Sequence, residues 1–151
     1  MNGMKVAVFT SPRLLSAAVR FKNSLNENAK LEAVVDMVPE MCHNEIETWI
    51  EGQDPRIPLF LRYDEEPSEV SKRILAVQQI MAGVGVEPQN VKARGGDQLS
   101  RILSLIYLLD YASIYLAGLR GVQPLSTPNI DRVRQHLANR LRYPEGKRSW
   151  G

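Results

Sequence analysis

Two residues in the first third of the chain are of the types that acid/base chemistry uses. Glu27, inside LNENAK, and His43, inside VPEMCHNEIE, stand sixteen residues apart with an apolar run between them. Their surroundings can tune a carboxylate and an imidazole toward neutral pKa, which a group that takes a proton and returns it requires. Residue type alone leaves a second reading for each. A Glu near a helix end is commonly solvated, and a single His ahead of a helix commonly packs or hydrogen-bonds. Two other segments offer anion chemistry. Thr10-Ser11-Pro12-Arg13 combines hydroxyls, helix N-terminal amides and a cation, although the same residues read equally as a cap and turn. Arg94-Gly95-Gly96-Asp97 is a glycine turn that could approach a phosphate, or a plain turn. It lacks the glycine spacing of a dinucleotide fingerprint and the Gly-Lys-Ser/Thr ending of a P-loop.

The elements that must position these residues alternate along the chain. Lys5 to Thr10 (KVAVFT) reads as a strand, and Ser11-Pro12 opens a helix that fades near Asn26, with Leu14, Ala18, Phe21 and Leu25 on its inner side. Leu31 to Val38 is a second strand ended by Pro39, apolar enough for both faces to be covered. Asn44 and Glu47 resemble a capping box before a short helix, and a polar turn, GQDPR, follows. Ile57 to Tyr63 is a third strand. A helix from Ser68 to about Met81 follows, with Val70, Ile74, Val77, Ile80 and Met81 as its apolar face. Val86 to Ala93 supplies a fourth strand, Asp97 caps the longest helix, and a last helix runs from Pro128-Asn129 to about Arg140. Strand and helix in alternation predict an α/β sandwich with a mainly parallel sheet, because parallel neighbours need crossovers and helices are the usual crossover. The expected organisation is one domain over residues 1–140 and a polar, basic tail over 141–151. In such a fold ligands collect past the carboxyl ends of strands, where all three segments are expected to lie.

Composition excludes several classes. At 151 residues, 44% hydrophobic and 24% charged, the chain is a globular domain rather than a disordered one. Nineteen Lys and Arg against seventeen Asp and Glu leave a net charge of +2, too balanced for a dedicated nucleic-acid binder. A single cysteine, Cys42, can close no internal disulfide and cannot build a structural zinc site, which suits a reducing, cytoplasmic setting. MNGMKVAVFT lacks a signal-peptide pattern. The apolar stretch from Ile102 to Leu119 is interrupted by Ser104, Asp110, Ser113 and Gly118, which predicts a buried helix rather than a membrane span. Its apolar residues cover nearly every face, more than a small domain hides, so a second surface is expected against it.

Three ordered stretches, LNENAK, then PEMCHNEIE, then LSRILSLIYLLDYASIYLAGLRGVQPLSTPNIDRVRQHL, closely resemble the C-terminal half of the bifunctional phosphoglucose/phosphomannose isomerases, within the sugar isomerase (SIS) superfamily. The likeness runs from about Lys5 to Leu137. It implies a doubly wound three-layer α/β/α sandwich and interconversion of glucose 6-phosphate or mannose 6-phosphate with fructose 6-phosphate, without metal or organic cofactor. Glu27 matches the family's base, and His43 matches its ring-opening histidine, which reaches the site from a neighbouring subunit. Where the family has a lysine in its last helix, this chain has Arg134, which keeps the charge but cannot readily donate a proton. The serine/threonine-rich loop that grips the sugar phosphate lies in the family's N-terminal SIS half and has no counterpart here. The resemblance therefore implies partners: a sugar phosphate, and either a second copy or a separate N-terminal-type SIS chain, with neither nucleic acid nor membrane. The alternative is a non-catalytic SIS subunit that binds sugar phosphate or serves assembly.

Overall fold

A computed structural model describes residues 4–51 and 56–141, with side chains through residue 138. Residues 142–151 of the polar tail and most of the GQDPR turn lie outside the described residues. The strands are β1 (Lys5–Thr10), β2 (Ala33–Met37), β3 (Arg56–Arg62) and β4 (Gln89–Lys92), and the helices are α1 (Leu15–Glu27), α2 (Ser68–Gly83), α3 (Gln98–Leu119) and α4 (Pro128–Leu141). All strand pairs are parallel, in the order β2-β1-β3-β4. Thr10 stands beside Met37 on one side and Leu61 on the other. The chain builds outward from β1 to β2, then crosses back to lay β3 on the opposite side of β1. The sheet is thus doubly wound, with its switch point between β1 and β3.

Both faces of the sheet are covered, as a parallel sheet requires. Val6, Val8 and Leu61 face a cluster containing Leu14, Ala18, Phe21 and Leu25 of the α1 region and Leu105 and Leu109 of α3. On the other face Ala7, Phe9 and Phe60 meet Ile74, Val77 and Met81 of α2, with Met41 and Trp49 from the β2–β3 connection. Phe9 packs its ring against Phe60 at 5.1 Å and Trp49 at 6.0 Å. The period-2 alternation along β1 sorts its side chains between these two cores.

The structure differs from the local sequence pattern in four places. Between Pro39 and Trp49 the chain forms two 3-10 turns, Glu40–His43 and Glu45–Thr48, instead of one helix, although Asn44 does accept from the Glu45 amide. Ser11 precedes a 3-10 turn and its hydroxyl caps nothing. Ile80 is 52% exposed, since α2 presents only Ile74, Val77 and Met81 squarely to the sheet. The largest correction concerns α3. Its length and apolar composition would suffice to cross a membrane, and it is not the buried helix that the pattern predicts. Arg101, Leu105, Leu109, Ser113 and Ala117, each four residues apart, form one buried stripe, while Leu99, Leu103, Tyr107, Tyr111, Tyr115 and Leu119 are at least half exposed. An outer-layer helix meets its own domain on one side only.

Candidate active site

Glu27 is the last residue of α1, and the turn that follows explains LNENAK. Asn28 donates its amide to the Ser24 carbonyl, and the Leu31 amide reaches back six residues to the Leu25 carbonyl. The second bond spans one residue more than the usual helix closure, and a wide turn of this kind uses a left-handed residue just past the helix, a place usually held by glycine. Lys30 holds that place with φ +52° and donates its ammonium to the Glu27 carbonyl. Ala29 and Leu31 plug the core on either side of it, so the turn is anchored while Glu27 stays exposed.

Glu27 lines a cleft of about 460 Å³ between this turn and the start of α4. Asn26, Lys30, Ser126, Thr127 and Asn129 share its wall with Pro128 and Ile130. Mostly apolar walls that carry a carboxylate, an ammonium, two hydroxyls and the Asn129 amide suit a sugar, which offers hydroxyl groups beside apolar C–H faces. Sequence reasoning missed Lys30 and Ser126-Thr127. The signals were there: Lys30 sits inside LNENAK, and Ser-Thr-Pro is a helix start.

His43 lies elsewhere. It is exposed at the end of the first 3-10 turn after β2, held by Met41, which is fully buried beneath that turn. Beside it, burial pushes the Cys42 thiol above its ordinary pKa, as expected of a packing residue. A crossover helix between parallel strands must end at the edge where the next strand begins. Glu27 therefore marks the amino-terminal edge of the sheet, and His43 its carboxyl edge. The five residues of β2 alone separate the two levels by about 17 Å. The expectation that Leu25 to Glu47 lies wholly past the carboxyl ends fails for Glu27, and one chain does not bring Glu27 and His43 together. Arg134 is on α4, one turn beyond Ile130, exposed and paired to Asp131 at 3.3 Å. It forms no part of the cleft wall.

The other two segments do meet at the carboxyl edge. The Gln98 side chain donates to the Arg13 carbonyl. Arg101, nearly buried, donates to the Gly95 carbonyl at 3.0 Å and to Glu65 at 3.0 Å, and lies over the Tyr63 ring at 5.3 Å. Asp97 accepts from the Ser100 amide at 3.0 Å and also from its hydroxyl; these bonds hold its carboxyl below the ordinary range. Gln98, Arg101 and Asp97 spend their bonds on closing the fold, which favours the turn reading of the glycine segment, whereas the buried Ser11 hydroxyl of the other segment has no partner among the described residues.

Taken together, these features define an open, doubly wound α/β domain with a cleft at the return end of its first crossover helix. The chain belongs to the family of bacterial phospho-glucose isomerase C-terminal SIS domains, whose model matches residues 1–137. It is 32% identical over 132 residues to a bifunctional phosphoglucose/phosphomannose isomerase of Aquifex aeolicus, covering 86% of this chain and 41% of that protein. A protein of the same name from Pyrobaculum aerophilum is 34% identical over 130 residues, with 86% and 39% covered. A D-glucosamine-6-phosphate 4-epimerase of Sulfolobus acidocaldarius is 42% identical over 138 residues, with 91% and 41% covered. Among solved structures, a glucose-6-phosphate isomerase like protein from Thermus thermophilus superposes with a TM-score of 0.60 at 20% identity, over 87% of this chain and 43% of that one. That likeness bears on the fold. The chain spans about two fifths of the length of these curated relatives.

Proposed function

We propose that this chain supplies the acid/base residues of a sugar-phosphate isomerase that interconverts glucose 6-phosphate or mannose 6-phosphate with fructose 6-phosphate. The observation that carries it is Glu27, exposed and lining a cleft in a chain of the isomerase family. Glu27 takes the proton from C2 of the open-chain aldose and returns it to C1. The O2 hydroxyl proton passes to O1, so the formula is unchanged and no metal or organic cofactor is required. One carboxylate serves both directions of that transfer when the two carbons are held beside it. His43 assists ring opening from a neighbouring subunit, a division of labour consistent with its place at the opposite edge of the sheet. Arg134 supplies fixed positive charge on the last helix, for a phosphate or ring oxygen, rather than a proton.

The assembly is soluble and cytoplasmic, and residues 1–140 act as one C-terminal-type SIS domain within it. The phosphate grip comes from a complementary N-terminal-type SIS half, and the outer stripe of α3 is where that half docks. This stripe carries no charge: Arg101 is buried, and Asp110 is turned to Arg20 and Ser24. A row of Leu and Tyr some six turns long is a surface that association buries.

The test is fructose 6-phosphate formation by the purified chain, alone and with such a half. Turnover is expected with the half present, and Glu27→Gln lowers it by about 10²- to 10⁴-fold. Undiminished turnover in Glu27→Gln overturns the assignment of the base. Stabilisation by sugar phosphate without turnover identifies a binding subunit instead. The 42% identity to an epimerase supports a second reading, in which the same cleft acts on glucosamine 6-phosphate. Offering that sugar and following inversion at C4 by NMR separates the two.

A further inference from the structure

The cleft shows where Glu27 stands, and the segment around it shows what keeps it there. Of the residues on either side, Asn26 and Asn28 are half-buried and turned into the protein, while Glu27 between them is exposed. The Asn26 side chain donates to the Leu31 carbonyl at 2.9 Å, closing the turn on itself. The Asn28 side chain donates to the Ser113 hydroxyl at 2.8 Å. Ser113 is fully buried in the inner stripe of α3 and donates in turn to the Asp110 carbonyl at 2.7 Å, so its oxygen is fixed in direction. One residue past the end of α3, Arg120 donates its Nε proton to the Ala29 carbonyl at 3.0 Å. Two contacts from a helix some 85 to 91 residues away therefore grip the turn on the segment leading into Lys30.

Buried polar groups of this kind are costly unless they do something a Leu or Ala cannot. The turn already closes through its own backbone bond from the Leu31 amide to the Leu25 carbonyl, which ends the helix without such ties. What they add is direction. They tie a left-handed, non-glycine turn to the rigid α3, and the one polar side chain left facing the cleft from between the two asparagines is Glu27.

We infer that Ser113 and Arg120, acting through Asn28 and the Ala29 carbonyl, are positioning residues for Glu27. The inference rests on the reading of Glu27 as the base. Its test separates the two. Ser113→Ala, Asn28→Ala and Arg120→Met are compared with wild type and with Arg120→Lys, which keeps a donor, by amide hydrogen exchange and by turnover in the assembled enzyme. Protection of the Leu31 amide is expected to fall by about tenfold or more in the first three, with protection in β1 unchanged. In the same variants kcat falls by about 10- to 100-fold at unchanged KM, because a small misplacement of the base affects the reacting geometry and not substrate binding. Arg120→Lys recovers part of both. Unchanged exchange overturns the inference, as does a loosened turn with full kcat or a change confined to KM. Asn28→Ala keeps the test decisive should Ser113→Ala fail to fold, since Asn28 lies nearer the surface. If wild type turns over no sugar phosphate in any assembly, the reading of Glu27 as base falls, and the exchange measurement still decides whether Ser113 and Arg120 hold its turn.

Discussion

Glu27 and His43 lie at opposite edges of one sheet, so a site that uses both must draw them from different chains. This makes a quantitative prediction for mixed assemblies. Glu27→Gln alone and His43→Gln alone each leave every site one residue short. Loss of a positioned proton-transfer group costs about 10²- to 10⁴-fold, so each variant is expected to retain about 1% of wild-type turnover or less. When the two are mixed in equal amounts and their subunits exchanged, random pairing in a two-fold dimer makes about half of the dimers hybrids. Each hybrid holds one site with both substitutions and one with neither. About a quarter of all sites are then complete, and the mixture is expected to recover about a quarter of wild-type activity, at least some 25-fold above either variant. The assay is coupled detection of fructose 6-phosphate, with native mass spectrometry to count hybrids and the complementary half present throughout. Hybrids that form without recovering activity refute the shared site. They would mean that Glu27 and His43 serve the same chain, against the separation imposed by β2.

Three smaller perturbations follow from the same structure. Gly95 has φ +129°, and a Cβ there would stand 2.5 Å from the Cβ of Ser100, so Gly95→Ala is expected to cost about 2 kcal/mol or more, read as a lower urea midpoint at unchanged slope. Burial pushes the Asp110 carboxyl upward, but hydrogen bonds from Arg20 and Ser24 and the Arg20 charge more than offset it, leaving its folded pKa below the ordinary value. Its contribution to stability is therefore present above the unfolded value of about 4 and is lost as pH falls through the folded one. The stability gap between wild type and Asp110→Asn is expected to hold near neutrality and close below about pH 4, which urea titrations across that range check. Leu103→Glu with Tyr111→Glu, both on the half-exposed outer stripe of α3, is expected to change Tm little while weakening capture of the complementary half by about 100-fold or more, about 3 kcal/mol, measured by calorimetry. An unchanged affinity would place that half on another surface.

Much of the fold was legible because each element carries its own local signal. The apolar spacing of Leu14, Ala18, Phe21 and Leu25 marks the inner side of α1 as it stands, and all four are buried. Asp97 reads as a cap and is one. Harder to read was anything set by the number of neighbours. Periodicity showed that α3 is apolar all round, but only packing decides which stripe a domain covers, so a helix read as buried has one face against α1 and the other open. The Pro39 to Trp49 segment misled for a related reason. Its capping pattern is helical, but Met41 and Trp49 are drawn into the α2 side of the core, and two tight turns satisfy that better than a regular helix.

The candidate site divides along the same line. Residue type by itself marks Glu27 and His43 as acid/base candidates, and the family resemblance, carried by the order of the motifs, gives them their expected roles and adds Arg134. Where those side chains stand was decided by the tertiary structure alone. A parallel crossover sends Glu27 to one edge of the sheet and leaves His43 at the other. The start of α4, about a hundred residues further on, closes the cleft beside Glu27 without bringing Arg134 into its wall. Ser113, which in the sequence reads only as a break in an apolar run, and Arg120 become neighbours of the same turn because α3 packs along α1. Proximity between residues far apart in the chain is a product of packing, and no local pattern records it.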